Sequence, residues 1–300
     1  MSYSYDVKIN LCTQKRLPCC RKSFWYGFLA AGNAFLPGFI RVLTEHNDIL
    51  ELFIKYINKE IPEIASVKDV LVKGNIKPIY ELSLNKKQSE EIVKILAVSE
   101  RSIVGHQIDF DLIKKECCVK SFISGVFVCV GFLSDPNKSY HLELVFHEKS
   151  FADDIVFALG TFDIKPKITV RNGDFVVYLK SSESILDFLN ILSATTFCFD
   201  YMNAGIEKQI RNTVNRQINC DNANLDKTVS AAAQQLAAIK KLEKENFASL
   251  TPELAQIAIL RQENPELSLA QLSELCDPPL SKSGVSHRLK KIIEKANEIN

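Results

Sequence analysis

The fold is decided by residues 19–34, CCRKSFWYGFLAAGNA, and by their second occurrence at residues 117–132, CCVKSFISGVFVCVGF. Six pairs of residues match at an offset of 98 positions (19 to 117): Cys19/Cys117, Cys20/Cys118, Lys22/Lys120, Ser23/Ser121, Phe24/Phe122 and Gly27/Gly125. Phe28/Phe127 and Gly32/Gly131 match only at an offset of 99, which indicates that the first copy is one residue shorter. An internal repeat outranks other signals because it fixes the number of structural units. The chain therefore contains a duplicated unit.

The segment after the second copy predicts two hairpins and two helices. Residues 140–146 alternate apolar and polar side chains, as a half-buried strand does, and follow a strand that begins at Gly131. Ser150 with Asp153 has the spacing of a helix cap. The turn Asn172-Gly173 joins strands at residues 167–171 and 174–180, and a helix over residues 183–192 closes the unit.

The segment after the first copy predicts the same order. A hairpin turns around Leu36-Pro37-Gly38, and a helix capped by Asp48 and Glu51 follows. A second hairpin pairs residues 67–72 with 76–84 around residues 73–75, and a last helix covers residues 88–97. Each half is therefore predicted as αββαββα, in one α+β domain that spans residues 1–202, with repeats at about 1–100 and 101–202.

Small residues at helical spacing mark where the two repeat helices should meet. Gly27 with Ala31, and Gly125 with Cys129, would let the helix backbones approach closely. We expect these helices to form a pseudo-twofold seam inside one chain, and therefore a monomer.

Residues 248–300 carry a different pattern, that of an all-α helix-turn-helix domain. Ser268 and Gln271 have the spacing of a capping box, which predicts a helix from Leu269. Asp277-Pro278-Pro279 ends that helix, because proline lacks an N–H group and disfavours helical backbone at the preceding residue. The helix–turn–helix order predicts double-stranded DNA as the partner.

The second helix of this domain divides into a core face and an outward face. Ser281 or Ser283 caps it, and its apolar side chains share one face: Val285, Leu289, Ile292, Ile293 and Ala296. The opposite face holds the predicted DNA contacts, with short polar side chains suited to bases and cations suited to phosphates. These contacts are Ser281, Lys282, Ser283, Ser286, His287, Arg288, Lys290 and Lys291.

Residues 203–247 are predicted to be a helical linker rich in Asn and Arg. Ile206, Ile210 and Val214 give it one apolar face, and residues 225–245 continue as an alanine-rich helix. Asn and Arg reach phosphates and bases, but Asn is also common in turns and caps, so both interpretations stay open. The candidate DNA contacts here are Lys208, Arg211, Asn212, Asn215 and Arg216.

Composition places the chain among ordinary globular proteins. It has 300 residues, of which 46% are hydrophobic and 24% charged, with a formal net charge of +1. Nearly balanced charge predicts focused basic patches and specific sites, because bulk coating of DNA needs a polycation. No apolar run approaches the ~18 residues of a membrane span, and no signal-like segment opens the chain. We expect a cytoplasmic protein with no membrane partner.

The motifs FLAAG (residues 28–32) and FVCVG (residues 127–131) on αββαββα repeats resemble the LAGLIDADG homing endonucleases. Nearly the whole chain resembles the bacterial WhiA family, through SDPNKSYHLE (134–143), RNTVNR (211–216), NCDNANL (219–225) and SKSGVSHR (281–288). The resemblance implies a transcription regulator linked to sporulation or cell division and to chromosome segregation, and associated with the nucleoid. It also implies a C-terminal domain similar to the promoter-reading domain of sigma factors.

The chemistry of the repeat-helix ends favours a non-enzyme. A homing endonuclease places one carboxylate before the final glycine of each repeat helix to hold divalent metals. Ala31 and Val130 occupy those positions, and neither can bind a metal. Asp135, near the second position, is expected to be a turn residue before Pro136. We expect a nuclease-like domain without catalysis or cofactor, while an active or nicking endonuclease stays an alternative.

The nine cysteines are expected to be free thiols, because their number is odd and no export signal precedes them. Adjacent pairs such as Cys19-Cys20 are poorly spaced for one tetrahedral ion, so we expect helix-entry packing residues and no metal site. His141 and His147 lie near Glu143 and Glu148 without a third clustered ligand. A further alternative is a scaffold that binds RNA polymerase or another regulator through the helix-turn-helix, although the basic face of the second helix weighs against it.

Overall fold

The computed structural model describes residues 2–60, 70–73, 78–245, 247 and 250–298. The chain divides into two compact units, Met1–Lys208 and Gln209–Asn300, and each is described by itself. No described helix is both long enough and apolar enough to cross a membrane.

The first half of the first unit contains α1 (Tyr3–Thr13), α2 (Pro18–Ala30), β1 (Ala34–Leu36), β2 (Phe39–Thr44), α3 (Asn47–Glu60), β3 (Val70–Lys73), β4 (Ile79–Leu84), α4 (Lys86–Leu96) and α5 (Glu100–Val104). A short 3-10 helix (Phe110–Ile113) leads into the second half, which contains α6 (Glu116–Val130), β5 (Gly131–Leu133), β6 (Leu142–Phe146), α7 (Lys149–Gly160), β7 (Lys167–Arg171), β8 (Asp174–Leu179) and α8 (Ser182–Ile191).

Two four-stranded antiparallel sheets with the same topology confirm the duplication. Their strand orders are β1-β2-β4-β3 and β5-β6-β8-β7. In the second sheet, Leu142 pairs with Leu179 and Leu144 with Val177, and these side chains are buried, which confirms the predicted alternation along β6. The predicted αββαββα order is therefore present in both halves, with α1 and α5 as additional helices.

The two glycines of the repeat helices lie at the contact between α2 and α6. A Cβ atom on Gly27 would lie 2.1 Å from the Phe122 carbonyl oxygen, and one on Gly125 would lie 1.8 Å from the Phe24 carbonyl oxygen. Because Phe24 and Phe122 are themselves equivalent, the two contacts are related by the pseudo-twofold axis. The predicted seam is confirmed at both glycines. Ala31 lies beyond the last residue of α2, as its C-cap.

Several predicted caps differ from those observed. Ser150 does not cap α7, because its hydroxyl donates to the carbonyl oxygens of Gly105 and His106 at 3.4 and 3.0 Å. Asp48 lies inside α3, which begins at Asn47, and accepts a hydrogen bond from the Tyr5 hydroxyl. The predicted turn at residues 73–75 and the start of its first strand fall largely outside the described residues.

A single helix, α9 (Thr195–Glu245), occupies 51 residues where the sequence predicts a linker followed by an alanine-rich helix. It begins within the first unit, where Cys198 and Tyr201 belong to the core, and its last turns supply Ile239 and Leu242 to the core of the second unit. The predicted helical character is present, and the predicted boundary at 202/203 stays a prediction.

The second unit packs α10 (Pro252–Glu263), α11 (Leu269–Glu274) and α12 (Lys282–Glu298) around an apolar core. Arg261 on α10 is buried to 1% exposure, and its guanidinium donates to the Leu267 carbonyl oxygen at 2.7 Å. The donating Nη1 group also lies within 3.5 Å of the Asn264 and Pro265 carbonyl oxygens, so Arg261 holds the chain between α10 and α11 through several backbone acceptors.

Candidate nucleic-acid interface

The first helix of the motif begins where its capping box predicts. The Ser268 hydroxyl accepts from the Gln271 N–H at 3.4 Å, and the Gln271 side chain accepts from the Ser268 N–H at 2.9 Å. Leu272 and Cys276 are buried, whereas Leu275 is 49% exposed. Cys276 therefore faces the core, and Leu275 does not.

The turn between α11 and α12 is tied to both preceding helices. The Gln256 side-chain amide on α10 donates to the Asp277 carbonyl oxygen at 2.9 Å. The Leu280 N–H donates to the Ser273 carbonyl oxygen at 3.2 Å. Because these bonds fix the backbone up to the residue before Ser281, the start of α12 has a defined position relative to α10 and α11.

Ser281 is the residue that caps α12. Its hydroxyl accepts from the Gly284 N–H at 3.1 Å, and its carbonyl oxygen accepts from the Val285 N–H at 3.0 Å. The Ser283 hydroxyl lies 2.9 Å from the Ser281 hydroxyl. One of the two predicted caps is therefore used, and Ser283 is one residue inside the helix.

The two faces of α12 are separated as predicted. Val285, Leu289, Ile292 and Ala296 are buried at 2% exposure or less, and Ile293, also predicted on this face, is half-buried. The predicted contact residues are exposed, namely Ser281, Lys282, Ser283, Ser286, His287, Lys290 and Lys291. This exposed set is called the α12 outer face below.

Arg288 differs from the other cations of α12 because it is half-buried. It lies near Glu253 at the start of α10. The pKa of that carboxyl is lowered mainly by hydrogen bonds from its own backbone N–H and from Thr251, with a smaller electrostatic contribution from Arg288. Arg288 therefore lies at the edge of the α12 outer face.

The electrostatics of the α12 outer face favour an anion. Lys282, Lys290 and Lys291 carry positive charge, and no acidic residue occurs between Ser281 and Lys291. The N-terminus of α12 adds the positive end of its helix dipole, because residues 281–283 are exposed there. The arrangement can bind phosphate oxygens around a polar strip formed by Ser283, Ser286 and His287.

The candidate contacts on α9 divide into two groups. Arg211, Asn212, Asn215 and Arg216 are exposed. Lys208 is half-buried, donates to the Pro136 carbonyl oxygen at 2.6 Å and lies 4.1 Å above the centre of the Tyr140 ring. It is already engaged within the first unit, which makes it the weakest of the five candidates.

The ends of α2 and α6 hold no carboxylate pair. Ala31 and Val130 line a cavity of about 210 Å³, with His106, His147 and Glu148 elsewhere in its wall. Asp135 accepts a hydrogen bond from the Asn137 N–H at 2.9 Å, the turn role expected of it. Within the described ranges, no three His, Cys, Asp or Glu ligand atoms converge at these helix ends.

Sequence reasoning missed a convergence at the opposite ends of the same two helices. The Sγ atoms of Cys19, Cys20, Cys117 and Cys118 all lie within 4.8 Å of one another. Each adjacent pair alone is poorly spaced for one ion, whereas the pseudo-twofold axis brings both pairs together. The sequence does hold one signal for this convergence, because the two cysteine pairs occupy matching positions in the two repeats.

Two family models match the chain in tandem. A WhiA LAGLIDADG-like domain matches residues 119–211, and a WhiA C-terminal HTH domain matches residues 214–296. The chain is 34% identical over 314 residues to a probable cell division protein WhiA of Syntrophomonas wolfei, covering 100% of this chain and 99% of the relative. It is 43% identical over 195 residues to the protein of the same name from Clostridium perfringens, where the match spans 62% of the relative's length.

Solved structures show the same fold. The crystal structure of full-length DUF199/WhiA from Thermotoga maritima matches with a TM-score of 0.60 at 22% identity, over 100% of this chain and 99% of that one. The N-terminal LAGLIDADG domain of DUF199/WhiA matches 64% of this chain with a TM-score of 0.50 at 20% identity.

Proposed function

The chain belongs to the WhiA family, and from that premise we propose that it is a sequence-specific DNA-binding transcription regulator. The observation that carries the proposal is the α12 outer face, a cationic and polar surface on a helix whose opposite face is buried. A helix presented in this way fits the major groove, where side chains near its N-terminus reach base edges.

The residues of the α12 outer face divide by their chemistry. Ser283, Ser286 and His287 carry hydrogen-bonding groups suited to bases, whereas Lys290 and Lys291 are charges suited to phosphates. We assign Lys282 and Arg288 to the edges of the contact. Arg211, Asn212, Asn215 and Arg216 on α9 form a second candidate contact with DNA.

The relatives' shared name supports a role in cell division, and we extend this to the chromosome-linked functions that the resemblance implies. These are sporulation, chromosome segregation and association with the nucleoid in the cytoplasm. A regulator of such processes must bind a small number of specific sites among a large excess of other DNA. The net charge of +1 supports this, because a nearly neutral protein gains little from unspecific attraction to DNA.

We further propose that the first unit cleaves no DNA. Ala31 and Val130 replace the acids that a metal-dependent nuclease needs to activate water. Supercoiled plasmid incubated with the protein in magnesium or manganese should stay intact. Nicking that appears with metal and disappears on chelation would show an active endonuclease instead.

A second candidate function, binding of RNA polymerase or another regulator, is favoured by a stripe on α9. Ile206, Ile210, Val214, Ile218, Leu225 and Val229 are each 49–61% exposed. Exposed apolar side chains that follow one helix mark interaction surfaces more often than isolated ones do.

We expect a monomer, since the pseudo-twofold seam lies within one chain. Sedimentation at micromolar concentration checks this, and a stable dimer lost in Ile210→Lys/Val214→Lys would show that the stripe joins two copies.

Selection of bound fragments from sheared genomic DNA tests the main proposal. The full chain should enrich a limited set of fragments that share a sequence, and Lys290→Ala/Lys291→Ala, which lacks two phosphate contacts, should greatly reduce the total amount of DNA recovered. Lys94→Ala removes the same kind of charge from an exposed position on α4 and should leave it unchanged. Recovery of fragments in proportion to their length, with no shared sequence, would contradict specific recognition.

A further inference from the structure

The four clustered cysteines occupy equivalent positions in the two repeats. Cys19 and Cys20 are the second and third residues of α2, and Cys117 and Cys118 are the second and third residues of α6. Because the four Sγ atoms lie within 4.8 Å of one another, the N-terminal turns of α2 and α6 lie side by side. The pseudo-twofold axis thus generates a four-thiol group from two adjacent pairs.

The spacing of the sulfur atoms suits one tetrahedral cation. Four thiolates at about 2.3 Å from a zinc ion are separated from one another by about 3.8 Å. The Sγ atoms of Cys19 and Cys20 are 3.9 Å apart, and all four lie within 4.8 Å of one another. Small rotations of the side chains would close the remaining distance. Adjacent residues can therefore serve as two ligands of one ion, because the other two come from the second helix.

A second layer of hydroxyl groups follows the same symmetry. The Ser23 hydroxyl donates to the Cys19 carbonyl oxygen of its own helix at 3.0 Å and lies close enough to the Cys118 sulfur to interact with it, as the equivalent Ser121 hydroxyl does with the Cys20 sulfur. Each serine belongs to the helix opposite its cysteine. Hydrogen-bond donors around metal ligands orient them and stabilise their ionised form.

Positive groups surround the cluster. The N-terminal turns of α2 and α6 direct the positive ends of both helix dipoles toward the sulfurs. Lys115 interacts electrostatically with Cys19, and Arg16 with Cys20. A cavity of about 440 Å³ beside Cys20 and Cys117 is lined by Lys15 and Lys120. Four thiolates and one divalent cation carry a net charge of −2, which Lys15, Lys115, Arg16 and the two helix dipoles would offset, since Lys120 already pairs with Glu116 at 2.5 Å.

The four-cysteine cluster is accessible to solvent on one side and enclosed by protein on the other. Cys20 and Cys118 are 6% and 3% exposed, whereas Cys19 and Cys117 are exposed. A cation can enter past the outer pair and be held by the inner pair. An isolated packing role does not explain why two exposed thiols converge on two buried ones.

We propose that Cys19, Cys20, Cys117 and Cys118 bind one thiophilic divalent cation of the zinc class, which joins the N-terminal ends of the two repeat helices. Binding exchanges the four thiol protons, released to solvent, for four metal–sulfur bonds, and no electron is transferred. The site replaces the expectation that these cysteines only pack the helix entry. Its role is structural, because four protein ligands leave no open position for a substrate.

Cobalt(II) titration of the full-length protein, reduced and freed of metal, tests the proposal. We expect ligand-field absorption of a tetrahedral four-thiolate complex that saturates at one equivalent and is displaced by one equivalent of zinc(II). Cys19→Ser, at an exposed position, and Cys118→Ser, at a buried one, should each abolish that spectrum. Cys220→Ser changes an exposed cysteine in the second unit and should leave it unchanged.

Three outcomes would overturn the proposal. The first is the absence of these bands at several equivalents of cobalt(II) on folded wild-type protein, and the second is their persistence in Cys19→Ser. The third is that zinc(II) fails to slow oxidation of the four thiols to disulfides between α2 and α6, followed by the mass of the unreduced protein. Circular dichroism of both serine variants confirms that a lost spectrum reflects lost ligands, since Cys19 lies outside the core.

Discussion

Ser281 and Ser283 lie two residues apart at the start of α12, yet their hydroxyl groups have different partners. The Ser281 hydroxyl accepts from the Gly284 N–H, so it satisfies a backbone donor that the helix itself leaves free. The Ser283 hydroxyl contacts that of Ser281 and is otherwise exposed. Ser281 therefore stabilises α12, and Ser283 is the one available to a base.

We expect Ser281→Ala to destabilise the second unit by about 1 kcal/mol, the usual cost of losing an N-cap. Ser283→Ala should change stability by less than about 0.5 kcal/mol, as exposed substitutions do. Hydrogen exchange of the Gly284 amide, which loses its acceptor only in Ser281→Ala, checks the difference. Equal protection of this amide in both variants would show that Ser281 is not the cap.

Sequence could predict which side chains of α12 face outward, because a 3.6-residue period fixes faces once the buried set is known. It could not predict the partners of Ser150, because its hydroxyl donates hydrogen bonds to the carbonyl oxygens of Gly105 and His106, which are distant along the chain. Nor could it bring the two cysteine pairs together, because that requires the crossing of α2 and α6. The missed contacts are those made between elements.

At the scale of elements, the crossing of α2 and α6 depends on the absence of two side chains. The atoms nearest to the missing Cβ positions of Gly27 and Gly125 are backbone atoms of the opposite helix, which cannot rotate away. Any side chain there must push the helices apart and disturb Phe24 and Phe122, which are almost fully buried. The small-residue pattern of the sequence predicted this crossing at the two glycines.

Gly27→Ala and Gly125→Ala should each lower the free energy of unfolding of the first unit by more than about 2 kcal/mol, because overpacking against backbone cannot relax. Gly160→Ala is the matched control, since a Cβ there would meet no atom within 4 Å. It should be neutral or stabilising by up to about 1 kcal/mol. Urea unfolding followed by the fluorescence of Trp25, the single tryptophan, measures all three. Wild-type stability in Gly27→Ala would contradict the seam.

Of the helices and strands, α9 was predicted least well from the sequence, because its continuity was not expected. Its many Asn residues between 203 and 224 are common in turns, so the pattern favoured a linker before the alanine-rich part. The structure has one helix of 51 residues with Arg211, Asn212, Asn215 and Arg216 exposed along it. Asn has only a modest intrinsic penalty in a helix, so composition alone does not end one.

At the scale of the whole molecule, the chain combines a duplicated LAGLIDADG-like unit with a helical unit whose last helix, α12, carries five cations and has no acidic residue between Ser281 and Lys291. With a net charge of +1, affinity for DNA must come from such local surfaces. We propose that the α12 outer face both binds and reads DNA. Because phosphates are present at every site and base edges differ, the two roles can be separated by mutation.

The most direct test measures binding of the full chain and its variants to a preferred and a scrambled duplex across a salt series. Lys290→Ala should weaken binding to both duplexes alike. It should also make the slope of log K against log salt concentration less steep by about one unit. His287→Ala should cost roughly 1–3 kcal/mol on the preferred duplex and little on the scrambled one. Leu289→Asp, which buries an unpaired charge, should unfold the second unit and serves as the negative control. If His287→Ala and Lys290→Ala both fold and bind each duplex as the wild type does, α12 is not the recognition helix, and the exposed Arg211 and Arg216 of α9 become the leading contacts.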